Sequence, residues 1–124
     1  KTVRRQRQMC IRDSLKSGPK AVFVTGRVEN LQIANYAISE EGVWRAAGQF
    51  INQKFNGTGD FFSALVTGLL LNGYKIDEVL SAATAACELI TFETQKKRAK
   101  ELAVVTALQK MEIDEIGVRV EKIA

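Results

Sequence analysis

Histidine is absent from all 124 residues. An imidazole general base and histidine metal ligands are therefore excluded, and any proton transfer falls to a carboxylate, lysine, tyrosine or cysteine. Cysteine is scarce: Cys10 lies in a basic stretch and Cys87 on the apolar face of an expected helix, without the spacing of a metal site or a disulfide framework. Both are expected to be reduced thiols. No stretch reaches the roughly 18 consecutive apolar residues of a membrane span, and the first residues lack the apolar core of a secretory signal. A soluble cytoplasmic protein with no membrane partner is the expectation.

Excess charge is missing from the part expected to fold. The formal net charge is +4, but Lys1, Arg4, Arg5, Arg7 and Arg12 against Asp13 account for all of it. A neutral remainder, with most aromatics at core spacing, argues against a nucleic-acid partner. Residues 1–14 have no amphipathic period, and Met9-Cys10-Ile11-Arg12-Asp13-Ser14 resembles translated sequencing-adapter sequence, so this tail is assigned no function. Residues 15–124, in a chain with 46% hydrophobic and 26% charged residues, suffice for one globular unit or part of one.

Leu15 to Pro19 reads as a helix end, with Gly18 as its left-handed cap and Pro19 as a stop. Ala21-Val22-Phe23-Val24-Thr25 then reads as a short strand buried on both faces of a parallel sheet. A helix end feeding such a strand is the tail of a βαβ unit, so the first half of the fold is expected upstream of residue 15. Gln32 to Ser39 and Val43 to Ile51 form an expected hairpin at one side of the sheet, turning at Glu40-Glu41-Gly42. Phe62, Leu65, Val66, Leu69 and Leu70 repeat at helical spacing from Asp60 to Asn72; with Phe61, Ala64 and Leu71 this helix is apolar on most sides and expected to be central. Gly73 fits its carboxyl cap.

A second helix is expected from about Asp77, as its amino cap, to about Lys97, with Leu80, Ala83, Cys87, Ile90 and Thr94 on one stripe. Ala82, Ala83, Ala85 and Ala86 allow a close neighbour. Lys96-Lys97-Arg98 reads as solvated cations favoured by the dipole at a helix end. Glu101 to Met111 fits a helix or a strand, and periodicity does not decide. Gly117 to Ile123 reads as an edge strand guarded by charged residues.

Gly57-Thr58-Gly59-Asp60 is the stretch that could carry chemistry. Glycines at a helix start let an anion approach the peptide groups, and the unpaired N–H groups of the first turn, aided by the helix dipole, favour a phosphate there. Asp60 at that corner could take the proton of an attacking hydroxyl. By themselves these four residues more often describe a capped helix start after a flexible loop.

The longer string Asn56-Gly57-Thr58-Gly59-Asp60-Phe61-Phe62-Ser63-Ala64-Leu65 resembles the signature near the carboxyl end of ribokinase-like kinases. Gly18-Pro19-Lys20-Ala21-Val22-Phe23-Val24-Thr25 and Glu101-Leu102-Ala103-Val104-Val105-Thr106-Ala107 are similar to segments of the pyridoxal kinase family within that group. The resemblance spans nearly all of residues 15–124. It implies an α/β chain forming the carboxyl-terminal portion of a ribokinase-like three-layer fold, with a mostly parallel sheet plus a hairpin between helices. It implies ATP-dependent phosphorylation of the 5′-hydroxymethyl group of pyridoxal, with Asp60 as base and Gly57, Thr58 and Gly59 around the transferring phosphate. Thr25, Ile51, Asn52 and Gln53 would contact the nucleotide. A K+ or Na+ ion would sit near Thr25 and Thr58, while the Mg2+ ligands and much of a homodimer surface would belong to the family's amino-terminal half. Gly26 departs from a small hydroxyl residue common in the family. The fragment alone is expected to have little or no activity. A hydroxymethylpyrimidine or sugar kinase is the alternative within the enzyme class, and a non-catalytic associating fragment the alternative outside it.

Overall fold

The computed structural model describes residues 20–51, 55–97, 102–104, 110 and 116–124. The basic tail, the helix end at Leu15 to Pro19 and most of Glu101 to Met111 lie outside the described residues. Among the described residues four strands, β1 (Ala21–Glu29), β2 (Gln32–Ser39), β3 (Gly42–Gln49) and β4 (Val120–Lys122), form one sheet in that spatial order, and the helices α1 (Thr58–Leu71) and α2 (Ile76–Lys96) lie between β3 and β4 in the chain.

Every described strand pair is antiparallel. The described partner of Ala21 to Thr25 is therefore antiparallel, and the other edge of β1, where parallel neighbours are expected, has no partner among the described residues. The cause is local: Glu29 faces Gln32 across Asn30-Leu31, and Ser39 faces Gly42 across Glu40-Glu41, and two-residue turns can join only antiparallel strands. Asn30 and Leu31 both take positive φ, 48° and 64°, as a tight hairpin turn of the favoured twist requires. The hairpin of β2 and β3 is as expected, but it occupies the middle of the described sheet because β1 and β4 flank it. Nor is β1 buried on both faces: Ala21 to Val24 are half-buried and Thr25 is exposed. The strand also does not stop at Thr25. A bulge places Thr25 and Gly26 opposite the single residue Asn35, with Gly26 at φ 78°, and the strand resumes at Arg27.

Strand alternation sorts the sheet into two faces. Phe23, Ala37, Trp44 and Ala46 share the face that meets the helices, where the core joins Phe62, Val66 and Leu69 of α1 to Val79, Leu80, Ala82 and Ala83 of α2. Phe23 and Phe62 meet edge to face, ring centres 6.4 Å apart. Alanines at 82, 83 and 86 let α2 lie close against its neighbours, and Leu80, Ala83, Ile90 and Thr94 of the expected stripe are all buried. The opposite sheet face carries a polar knot. The carboxylate of Glu29 accepts hydrogen bonds from the Tyr36 hydroxyl at 2.9 Å and from Arg45 Nε at 3.1 Å, and pairs with Arg27 Nε at 2.7 Å.

α1 begins two residues before the expected Asp60, and only one of its stripes is covered. Phe62, Val66 and Leu69 are buried, whereas Leu71 is 83% exposed. The helix expected to be central therefore borders the described body, a correction to the reading of its all-round apolarity. It ends in a Schellman motif: the Gly73 N–H donates to the Leu70 carbonyl at 3.1 Å, the Tyr74 N–H donates to the Leu69 carbonyl at 3.2 Å, and Gly73 takes φ 86°. α2 starts at Ile76 with Lys75 as its cap, not Asp77. The Glu78 carboxylate reaches back to accept the Lys75 N–H at 3.1 Å, which settles the cap two residues earlier than Asp77. β4 is the expected edge strand, tied to α2 by Ser81, whose hydroxyl donates to the Val118 carbonyl at 2.9 Å and accepts its N–H at 3.0 Å. No helix among the described residues is long and apolar enough to cross a membrane.

Candidate functional site

At the start of α1, Gly57 takes φ 88° as the helix cap, a conformation costly for residues with a Cβ, and turns the loop into the helix. Among the described residues no side chain caps this end. The Gly57 carbonyl accepts the Phe61 N–H at 3.0 Å, so the ladder begins there and the preceding amides have no intrahelical partner. A partial positive charge of roughly half an electron accompanies those amides.

Beside them opens a cleft of about 260 Å³. Asn35, Phe62 and Thr84, all buried, form its base; Thr25 and Gly26 of the β1 bulge and Gly59 of α1 are exposed at its rim. Ile33, Phe50, Ile51 and Phe55 give it apolar surface, and Cys87, Glu88 and Thr91 line it from α2. Burial pushes the Cys87 thiol up to about 12, so it lines the cleft as a protonated, weakly polar group rather than a nucleophile.

Its base is tied together by side-chain amide bonds. Asn35 Oδ1 accepts the Gly26 N–H at 3.1 Å, and Asn35 Nδ2 donates to Thr84 Oγ1 at 3.0 Å. One residue thus fixes the bulge to α2. The glycine at position 26 serves that bulge: no described atom lies within 4 Å of a Cβ built there, but its φ is one side chains rarely adopt. The hydroxyl of Thr58 is buried in the cleft wall and has no hydrogen-bond partner, the sole buried side-chain polar atom so left among the described residues.

Of the residues singled out in the sequence, Thr25, Ile51, Thr58 and Gly59 come together around this cleft although up to 34 positions separate them. Gly57 and Asp60 stand exposed at the same helix start without lining it. Asn52 and Gln53 lie outside the described residues. Sequence reasoning missed Asn35, Thr84, Glu88 and Thr91. A signal existed: Asn35 interrupts an apolar strand, and Thr84, Glu88 and Thr91 follow one another at i, i+4 and i+7, one polar stripe along a helix otherwise read for its alanines. Among the described residues no cluster of three His, Cys, Asp or Glu could hold a metal ion.

No family model matches the chain. It is 28% identical over 117 residues to pyridoxal kinase PdxY of Rubrobacter xylanophilus, a match covering 86% of this chain and 39% of that protein. A putative phosphomethylpyrimidine kinase from Bacteroides thetaiotaomicron superimposes with a TM-score of 0.80 at 19% identity, over 94% of this chain and 43% of its own. A second crystal form of that protein, with pyridoxal, gives 0.75 at 20% identity over 96% and 44%. Pyridoxal kinase from Leishmania donovani in complex with ADP gives 0.72 at 13% identity, over 88% and 40%. The chain spans about two fifths of the length of each of these proteins. The chain is thus similar in sequence to a pyridoxal kinase over about two fifths of that protein, and it carries part of the fold seen in solved pyridoxal and phosphomethylpyrimidine kinases.

Proposed function

We propose that this chain supplies the phosphate-handling part of an ATP-dependent kinase for the 5′-hydroxymethyl group of pyridoxal. The observation that carries the reading is the partnerless Thr58 hydroxyl, buried in a cleft beside uncapped helix amides. A buried hydroxyl without a partner costs about 1–3 kcal/mol, and an oxygen-rich anion would remove that cost. The relatives support the class of ligand: the Leishmania protein is solved with ADP and the Bacteroides protein with pyridoxal.

In phosphoryl transfer the protein's work is positioning and electrostatic stabilisation. The Thr58 and Gly59 amides, with the Thr58 hydroxyl, hold the phosphoryl oxygens, and the dipole of α1 favours the charge that builds on them. Gly57 lets the loop reach that geometry. Asp60, exposed in the first turn, accepts the proton of the incoming hydroxyl. Thr25 and Ile51, with Asn52 and Gln53 beyond them, contact the nucleotide. Thr25 and Thr58 also offer a monovalent cation two hydroxyl oxygens, fewer than such an ion needs, so further ligands would come from backbone or water. No three His, Cys, Asp or Glu side chains cluster among the described residues, and the magnesium carboxylates are assigned, as the resemblance implies, to the rest of the enzyme. Hydroxymethylpyrimidine is the second acceptor alcohol to test, given the name of the Bacteroides relative.

The test is a fusion of residues 15–124 to the amino-terminal part of the Rubrobacter relative. ATP-dependent pyridoxal phosphorylation is expected from the fusion, with Asp60→Asn lowering kcat by about 10²-fold or more at unchanged folding. The chain by itself is expected to show little or no turnover. A folded fusion that binds ADP yet is indifferent to Asp60→Asn would remove the assigned base.

A further inference from the structure

The cleft has several neutral polar lining residues, among them Thr25, Asn35, Thr84 and Thr91, and two places able to meet a ligand's charge or strong donor. One is the helix start already described; the other is Glu88 of α2, the only charged side chain in the described lining. Its carboxylate is not adrift. Glu88 Oε2 accepts the Gln49 backbone N–H at 2.6 Å, a short charge-assisted bond at the end of β3. Gly48 allows this approach: a Cβ there would lie 3.0 Å from Glu88 Oε2 and 3.4 Å from its Cβ. The carboxylate is therefore held by backbone on one side. An ionised carboxylate has about four acceptor sites, and no other hydrogen bond to it occurs among the described residues.

A ligand suited to both places has an anionic end for the amides of α1, a flat apolar middle for Ile33, Phe50 and Ile51, and a hydrogen-bond donor at its far end. We propose that Glu88 reads the nucleotide base, accepting a hydrogen bond from an exocyclic amino group and so selecting adenine over hypoxanthine. This deepens the nucleotide reading of the same cleft and rests on it. Hypoxanthine presents a carbonyl oxygen where adenine presents its amino group. That oxygen would face a carboxylate that Gln49 keeps from turning away. The effect is selectivity rather than catalysis, since Glu88 would touch the base and not the migrating phosphoryl group.

The test compares ADP with IDP for binding to the purified chain by calorimetry, backed by amide NMR shifts. ADP is expected to bind about tenfold or more tightly than IDP, the range for losing a hydrogen bond to a charged group. Glu88→Gln, whose amide can both accept and donate, should bring the two affinities within about threefold of each other by weakening ADP and strengthening IDP. Equal binding of ADP and IDP to the unmodified chain would overturn the role of Glu88 while leaving the cleft a nucleotide site. If neither nucleotide nor pyrophosphate shifts the Thr58 and Gly59 amides, the nucleotide reading fails and the base reading falls with it. The comparison on the unmodified chain needs no variant to fold.

Discussion

Thr58 separates stability from function in a way few residues do. Its hydroxyl has no partner among the described residues, so replacing it with the near-isosteric valine removes an unsatisfied group rather than a bond. Such a replacement is close to neutral for folding or mildly stabilising. Thr58→Val is accordingly expected to keep or raise the thermal midpoint while weakening ADP binding about two- to tenfold; a drop in midpoint with unchanged affinity would mean the hydroxyl serves the fold. Asn35 is the opposite case. It is buried and joins the Gly26 amide to Thr84, so Asn35→Ala strands two polar groups and should cost about 1–3 kcal/mol in denaturant unfolding. Sequence pattern points to Thr58 through its glycine neighbours, whereas for Asn35 it offers only a polar residue interrupting an apolar strand. The difference is physical: a glycine-bracketed helix start announces itself locally, whereas a strand residue that clamps a bulge across 49 positions depends on contacts that no local period encodes.

Elements were most legible where local chemistry decides them. The β2–β3 hairpin, both helices and the charged edge strand follow from alternation, helical spacing and turn residues. Environment was less legible. The run from Ala21 to Thr25 is apolar enough for a parallel core strand, while its neighbour in sequence returns through a two-residue turn, so that the one edge paired among the described residues is antiparallel. The all-round apolarity of α1 predicts a central helix, yet Leu70 and Leu71 are exposed among the described residues. At this scale the Schellman ending of α1 gives a sharp test. An alanine at position 73 would have to hold φ near 86°, which costs roughly 1–2 kcal/mol, with no clash to add because no described atom lies within 4 Å of its Cβ. Gly73→Ala should lower stability by about that amount in urea titrations and leave ADP affinity unchanged, since the cleft lies at the other end of the helix.

For the molecule as a whole, acid is the condition that should unsettle the fold. Burial works to raise the Glu29 carboxyl, but the hydrogen bonds from Tyr36 and Arg45 and the charges of Arg45 and Arg27 outweigh it and hold the group below the ordinary carboxylate value. The Lys110 hydrogen bond likewise lowers Glu93. A lowered carboxylate means the unfolded chain binds more protons than the folded one in acid. Its contribution is complete above the ordinary carboxylate range and is lost as pH falls through the folded value. Stability is expected to hold from neutrality to about pH 5 and to decline below it, and Glu29→Gln should flatten part of that decline in unfolding measured pH by pH. Residues 1–14 contribute the whole net charge, so their removal should abolish any salt-sensitive retention on nucleic acid without altering nucleotide binding.

An amide-resolved NMR titration of the chain with the non-hydrolysable analogue AMP-PCP asks the decisive question: whether the start of α1 receives phosphate. Saturable shifts concentrated at Thr58 and Gly59, with smaller ones at Gly26 and Ile51, are the expected result. Shifts confined to Arg27 and Arg45 on the opposite sheet face, with Thr58 and Gly59 unmoved, would contradict it.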